Sequence, residues 1–205
     1  RALAVLAQAD LIAAEDTRTT GNLLAHHGIS AKLIALHEHN EAQRAAELVA
    51  RIVAGKSIAL VSDAGTPGIS DPGALLVAQA RQAGVVVCPI PGANAAIAAL
   101  SASGLVSARF LFHGFLPAKA AARLAALEAL REHACALVFY EAPHRVMECV
   151  AALAGVSGGE RDIVIARELT KLFETIHCCR LDEAGAWLAE DANRQRGEFV
   201  LIVSG

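Results

Sequence analysis

The stretch "LVSDAGTPGISDPG", residues 60–73, decides how the rest of the chain is read. It follows a strand-like run, "KSIAL", and leads into an Ala/Leu-rich run of helical character, "ALLVAQARQ". About two to six residues suffice to join a strand to a helix in an α/β unit. Residues 62–73 instead hold three Gly, two Pro, two Asp and two Ser. Gly lets the backbone reach positive φ and approach a ligand closely, and Pro fixes the turn beside it. In open α/β sheets ligands bind beyond the carboxyl ends of the strands, so this loop is expected to line a crevice. Plain turn-making is the competing reading.

Working outward from the loop, strand and helix periods alternate. Toward the N-terminus, "RALAVLAQA" reads as a helix and "LIAAED" as a short strand with an acidic end. "TRTTGNLLAHHGI" reads as a capped helix closed by Gly28, "KLIALH" as a strand, and "NEAQRAAELVARIVAG" as a helix ending at Gly55. Toward the C-terminus a helix over 73–82 precedes "VVVCPI", whose unbroken apolar character predicts a buried strand. "PGANAAIAALSASG" gives a loop and helix, followed by "RFLFHGFLP". The pattern then restarts with helix "KAAARLAALEALREH", strand "ALVFYEA", helix "PHRVMECVAALAG" and strand "DIVIAREL". A charged connection, helix "LDEAGAWLAEDA" and strand "EFVLIVSG" complete it. Such alternation argues for layered α/β architecture. The Gly114–Pro117 region reads as the joint between two lobes, residues 1–114 and 115–205.

Composition narrows the function classes. The chain has 205 residues, 55% of them hydrophobic, which is enough for a packed core in one large or two small domains. Its net charge of −3 excludes a globally basic nucleic-acid binder, so RNA contact requires a local basic face. Five Cys (88, 135, 149, 178, 179) form no C-x-x-C and read as reduced thiols of a cytoplasmic protein. The uncharged residues following Arg81 are interrupted by Pro89, Pro91, Gly92 and Asn94, which argues against a membrane span. "RALAVLAQADLIAAED" is broken by Gln8 and Asp10 and is not read as a signal peptide.

Three turn-rich loops stand at predicted strand ends: "SDAGTPGISDPG", "PIPGAN" and "YEAPHR". Neither G-x-x-x-x-G-K-[ST] nor G-x-G-x-x-G after the first strand is present. Asp63 and Asp71 are anionic, and neither Lys nor Arg lies between Lys56 and Arg81. That environment disfavours a triphosphate and suits a neutral or cationic ligand. His37 and His39 of "HEH" share a face without an evident third ligand, so no metal is expected.

Seven segments in order, "AAEDTRTTGNLLAHHGI", "LVSDAGTPGISDPG", "IPGANAAIAALSASGL", "FLFHGFLP", "VFYEAPHRV", "IVIARELTKLFETI" and "GEFVLIVSG", closely resemble the ribosomal RNA small subunit methyltransferase I family. That family lies within the tetrapyrrole-methylase superfamily, the class III S-adenosylmethionine-dependent methyltransferases. The resemblance implies a two-lobed α/β fold, with S-adenosyl-L-methionine bound between the lobes as methyl donor. It also implies 2′-O-methylation of a cytidine in the decoding region of 16S rRNA within the small ribosomal subunit, a homodimer and a cytoplasmic location. Family members begin with a strand and loop resembling "ATPIGNLGD" and continue past "LIVSG"; both segments are absent, so the chain is expected to be the central portion of a longer protein. A tetrapyrrole or protein acceptor, and a non-enzymatic donor-binding module, are the alternatives.

The resemblance also assigns residues. Asp63, Ala64, Gly65, Thr66 and Pro67 match the family's first donor-binding loop; Gly92, Ala93, Asn94 and Ala95 match the second. Tyr140 and Glu141 match the third, and Glu198 to Val200 match a terminal strand near the adenine. On the acceptor side "EDTR" and "RELTK" offer Glu15, Asp16, Glu168 and, from the third loop, Glu141 as candidate general bases, with Arg18 and Lys171 to hold phosphate or orient ribose. A helix cap with an ion pair, and a surface salt-bridge cluster, are the structural alternatives for the two motifs. Cations available for RNA are Arg18, Arg109, Lys119, Arg123, Arg145, Arg161, Arg167 and Lys171.

Overall fold

The computed structural model describes residues 1–107 and 109–205. The chain divides into two compact units, Arg1–Ala93 and Asn94–Gly205. The division falls within the "PGAN" loop rather than at Gly114–Pro117. Gly114 and Phe115 are paired residues of a strand, in register with Phe139 and Tyr140, so the joint expected at 114–117 lies inside the second unit.

The first unit is built on a parallel sheet of three short strands in the order β2-β1-β3: β1 (Leu11–Ala14), β2 (Leu33–Ala35) and β3 (Ile58–Val61). Strand β1 is central and all four of its residues are buried, because its alternating side chains enter two different cores. On one side Leu11 and Ala13 meet α3 (Glu41–Val53) and α4 (Ala74–Gln82) through Ala45, Leu48 and Leu76. On the other Ile12 meets α1 (Ala2–Gln8) and α2 (Thr17–His26) through Leu6 and Leu24. Glu47 holds Arg44 and Arg51 at 2.8 and 2.7 Å along the outer face of α3, the spacing that supports a helix.

The predicted strand "VVVCPI" does not form. Among the described residues, 85–94 carry no regular structure, and Val86 is 90% exposed. Apolar β-branched residues favour a pleated, half-buried surface, but a strand exists only by lateral hydrogen bonding. No strand of the first sheet pairs with this run.

The second unit holds a five-stranded sheet in the order β4-β5-β8-β6-β7. Its strands are β4 (Phe110–Phe115), β5 (Ala136–Glu141), β6 (Asp162–Arg167), β7 (Thr175–Arg180) and β8 (Phe199–Val203). Helices α6 (Ala120–Leu130), α7 (Val146–Ser157) and α8 (Leu181–Ala189) cover one face over Phe139, Ile163, Ile165 and Leu201. Helix α5 (Ala95–Ala102) lies on the other, where Ala96 and Ala99, with side chains no larger than a methyl group, sit against Val138, Val164, Val200 and Ile202. Strand β8 alternates between these cores, and all five of its residues are buried.

Strand β7 occupies what the sequence presents as a charged connection. Its residues alternate between half-buried and exposed, as an edge strand requires. The alternation places Cys179 inward and Cys178 outward, and all five thiols are free. Phe199 is core, and Trp187, half-buried against the same core, is stacked on His177 at 4.0 Å with Arg194 4.7 Å from its ring. No helix among the described residues is long and apolar enough to cross a membrane.

Candidate active site

In the first unit, the quoted loop leaves β3 at the carboxyl end of the parallel sheet, beside the end of β1. Glu15 follows β1, and its Oε2 accepts the amide of Asp63 at 3.0 Å; the Asp16 amide in turn donates to Asp63 Oδ1 at 3.2 Å. "EDTR" and "SDAGTP" are thus tied to each other by two hydrogen bonds. The second predicted loop joins them: Thr66 Oγ1 donates to the Ala93 carbonyl at 3.2 Å. Gly65 takes φ +72° and Gly73 φ +128°. At Gly73 a Cβ would also stand 2.5 Å from Leu60 Cδ2, so the loop re-enters α4 through a place only glycine fits.

The turn chemistry is completed from a distance. Helix α4 has no N-capping side chain of its own. Glu41, the first residue of α3, supplies one: its Oε1 accepts from the amides of Gly73, Leu75 and Leu76 at 2.9, 2.9 and 3.2 Å. A carboxylate there meets both the unpaired amides and the positive end of the helix.

Four carboxylates, Glu15, Asp16, Asp63 and Asp71, gather at this end. Burial, together with the charges of Glu15 and Asp63, pushes Asp71 up to about 6. Asp16 is pulled the other way, to about 2, by Arg18, whose guanidinium lies 2.7 Å from it and whose amide it caps. The geometry of Asp16 and Arg18 is therefore that of a helix cap with its ion pair, and the Arg18 side chain is 89% exposed. Neither Asp71 nor Glu41 was assigned a place in the site from the sequence, although Asp71 was read with Asp63 as favouring a neutral or cationic ligand. Asp71 was visible only as one more acid of the loop, and a cap contributed from 32 residues away leaves no local signature.

In the second unit, the sheet's mixed directions bring the ends of β5 and β6 and the start of β8 to one edge. Glu141 stands in register with Phe199, and Phe199 with Arg167. Tyr140 lies beside Val200, and its hydroxyl accepts the amide of Ala96 at 3.2 Å, at the first turn of α5. Asn94 caps the same helix by accepting the Ile97 amide at 3.1 Å. Asn94, Ala95, Tyr140 and Val200 are therefore neighbours. Val200 is buried in the sheet.

Glu141 is placed differently from a ligand contact. Its side chain is wholly buried, paired with Arg145 Nε at 3.0 Å and Nη2 at 3.1 Å, and it accepts the Ala142 amide at 2.8 Å. Arg145 also donates to the Leu116 carbonyl. The pair lies inside the α7 face, against Cys149, whose thiol is pushed up by burial and by Glu141. Only the Glu141 backbone reaches the edge.

Glu168, Lys171 and Glu198 do meet. Lys171 Nζ lies 2.9 Å from Glu168 Oε1 and 3.0 Å from Glu198 Oε2, and Glu168 also accepts the Glu198 amide at 3.0 Å. Lys171 and the Glu198 amide hold Glu168 below the usual carboxylate range, and Glu168 raises Lys171. Among the cations nominated for RNA, Arg123 and Arg167 are buried, and Arg145 is half-buried on Glu141. Arg123 pairs with Glu148 at 2.9 Å, and Arg167 donates to the Arg196 carbonyl at 3.2 Å. Arg161 donates to the carbonyls of Arg131 and Ser204. Arg18, Arg109, Lys119 and Lys171 remain exposed.

The model of the Tetrapyrrole (Corrin/Porphyrin) Methylases matches residues 1–185. The ribosomal RNA small subunit methyltransferase I of Vibrio cholerae is 58% identical over all 205 residues, which span 71% of that relative. The chain belongs to the ribosomal RNA small subunit methyltransferase I family of tetrapyrrole methylases. Solved tetrapyrrole methylases share the fold at low identity. The methyltransferase CobJ superposes with a TM-score of 0.69 at 20% identity, covering 98% of this chain and 85% of its own. A Thermus thermophilus uroporphyrin-III C-methyltransferase in complex with S-adenyl homocysteine gives 0.65 at 16%, covering 99% and 89%. Tetrapyrrole-methylase membership fits the chemistry of the loops. The 62–73 loop presents acids and backbone amides and carbonyls and holds neither Lys nor Arg, which suits a sulfonium-bearing donor that carries no phosphate.

Proposed function

We propose that this chain catalyses S-adenosylmethionine-dependent 2′-O-methylation of a cytidine ribose in 16S rRNA, within the small ribosomal subunit and as a cytoplasmic homodimer. The likeness over the whole chain to an rRNA small subunit methyltransferase I carries this reading. The donor supplies a methyl group already activated by sulfonium, so the protein's work is largely to hold two reactants in line. In the first unit, residues 63–67 with Gly92 and Ala93 are the donor loops, with Asp71 adding attraction for its positive charge. In the second, Asn94, Ala95, Tyr140, the Glu141 backbone, Glu198 and Val200 are the donor side of the sheet edge.

On the acceptor side, Glu15 and Glu168 are the candidate proton acceptors, and Arg18 and Lys171 hold phosphate or ribose. Lys171 and the Glu198 amide stabilise the ionised form of Glu168, which weakens it as a base.

The decisive experiment is transfer from labelled S-adenosylmethionine to small ribosomal subunits lacking the modification. Label recovered at the 2′-oxygen of one cytidine is expected. Label on a protein or a tetrapyrrole in its place, or donor binding without transfer, overturns the reading. Within it, Glu15→Gln and Lys171→Ala are each expected to lower turnover at least tenfold; unchanged turnover in both removes the acceptor-side assignment.

A further inference from the structure

The connection between β6 and β7 displays two apolar side chains to solvent: Leu172 is 89% exposed and Phe173 67%. Single exposed apolar residues are ordinary on protein surfaces. These two differ in how firmly they are held. The Thr170 amide donates to Glu174 Oε2 at 2.6 Å, the Lys171 amide to the Glu168 carbonyl at 2.9 Å, and the Glu174 amide to the Lys171 carbonyl at 3.1 Å. Thr175 Oγ1 donates to the Phe173 carbonyl at 3.2 Å. Lys171 ties the base of the loop to β8 through Glu198. Glu168 and Thr170 adopt φ of +51° and +68°, a conformation that costs about 1 kcal/mol or more for residues other than glycine. These hydrogen bonds hold the backbone that presents the Phe173 ring to solvent.

The position of the loop says what such a group is for. It leaves the sheet after Arg167, at the edge where Phe199 and Glu141 stand in register, and so beside Tyr140 and the Lys171 cluster. Lys171 at the base of the loop, paired with Glu168 and Glu198, is the cation that meets phosphate or ribose in the functional reading, and Leu172 and Phe173 beyond it carry no charge. At this uncharged tip an RNA strand is met through the face of a base. A stable protein partner requires about 800 Å² on each side, more than the exposed side chains of Leu172, Phe173 and Ile176 offer by themselves. Single-stranded RNA is held by stacking of its bases on aromatic rings.

We infer that Phe173, with Leu172 beside it, is a stacking platform for an unpaired base of the substrate RNA, and positions the nucleotide strand at the edge that carries Tyr140 and Lys171. The inference rests on the chain being an rRNA methyltransferase. It makes Phe173 a positioning residue, without a part in the chemistry.

The test is steady-state methyl transfer to unmodified small subunits by the parent enzyme and by Phe173→Ala, Phe173→Leu and Phe173→Trp, with donor affinity, Tm and sedimentation measured alongside. Phe173→Ala is expected to raise KM for subunits about 5- to 100-fold, with donor affinity and Tm unchanged. Phe173→Trp should restore KM to within about threefold, and Phe173→Leu should not. An unchanged KM in Phe173→Ala, while the parent transfers methyl normally, overturns this inference alone. Full rescue by Phe173→Leu overturns stacking in favour of a plain apolar contact. Conversion of a dimer to a monomer by Phe173→Ala assigns the loop to a second copy of the chain. Donor binding without transfer by the parent enzyme overturns the functional reading, and this inference with it.

Discussion

At the scale of single residues, two carboxyl groups illustrate opposite fates of buried charge. Asp71 is half-buried among acids and pushed up to about 6, so it is neutral below that pH and anionic above it. A cationic donor favours the anion. Donor affinity is therefore expected to rise as pH rises from 5 to 7, with proton release on binding near pH 6, and Asp71→Asn should flatten that profile in titration calorimetry. The sign for folding is opposite: a folded pKa above the unfolded one makes Asp71 a cost as pH rises through the interval from 3.8 to about 6. Glu141 is buried further yet tied to Arg145. Arg145→Met leaves that carboxylate without its partner and should cost about 3 kcal/mol or more in urea unfolding. The pair Glu141→Gln with Arg145→Met should recover most of the loss. The motif "YEAPHR" was legible as a strand end with a loop. That its acid faces inward was not, because a short motif does not state which face a helix will cover.

At the scale of elements, the successes and failures of sequence reading share one cause. Helices α2, α3 and α5 and strands β5 and β6 carry their evidence locally, in caps, periodicity and β-branched runs, and each was legible. Strand β7 was not, since "TIHCCR" has the composition of a polar connection and becomes a strand by pairing with β6 from Asp162 to Arg167. "VVVCPI" is the converse case, locally well suited to a strand but without a neighbour to pair with. The cap of α4 is non-local too. Glu41→Ala removes the acceptor for three amides and should lower stability by about 1–2 kcal/mol. Glu41→Gln keeps an acceptor and should lose only the smaller interaction with the helix dipole. Chemical denaturation of both variants tests the ordering.

At the scale of the whole molecule, stability should follow the pairing pattern of the two sheets. Strands β5, β8 and β6 are hydrogen-bonded on both sides and buried on both faces. Among the described residues, the amides of Val86, Val87 and Cys88 make no hydrogen bond. Native-state hydrogen exchange is expected to be slowest in β8 and fast, without measurable protection, at residues 86–88; protection there comparable to β3 would contradict the pairing described. The motifs that bear on function lie at the carboxyl ends of β1 and β3 and at one edge of the second sheet, so they were legible as loops between regular elements. The row that links Glu141, Phe199 and Arg167 was legible only from topology, because strands of opposite direction bring together residues far apart in sequence. That topology also sets an order of events during synthesis. Strand β8 is the partner of both β5 and β6, yet it leaves the ribosome after β4, β5, β6 and β7. Until residues 199–203 emerge, the nascent second unit consists of two separate strand pairs, β4–β5 and β6–β7, each with an open apolar edge awaiting one missing strand. The interval in which the growing chain needs protection from aggregation is thus fixed by the position of a single strand in the gene.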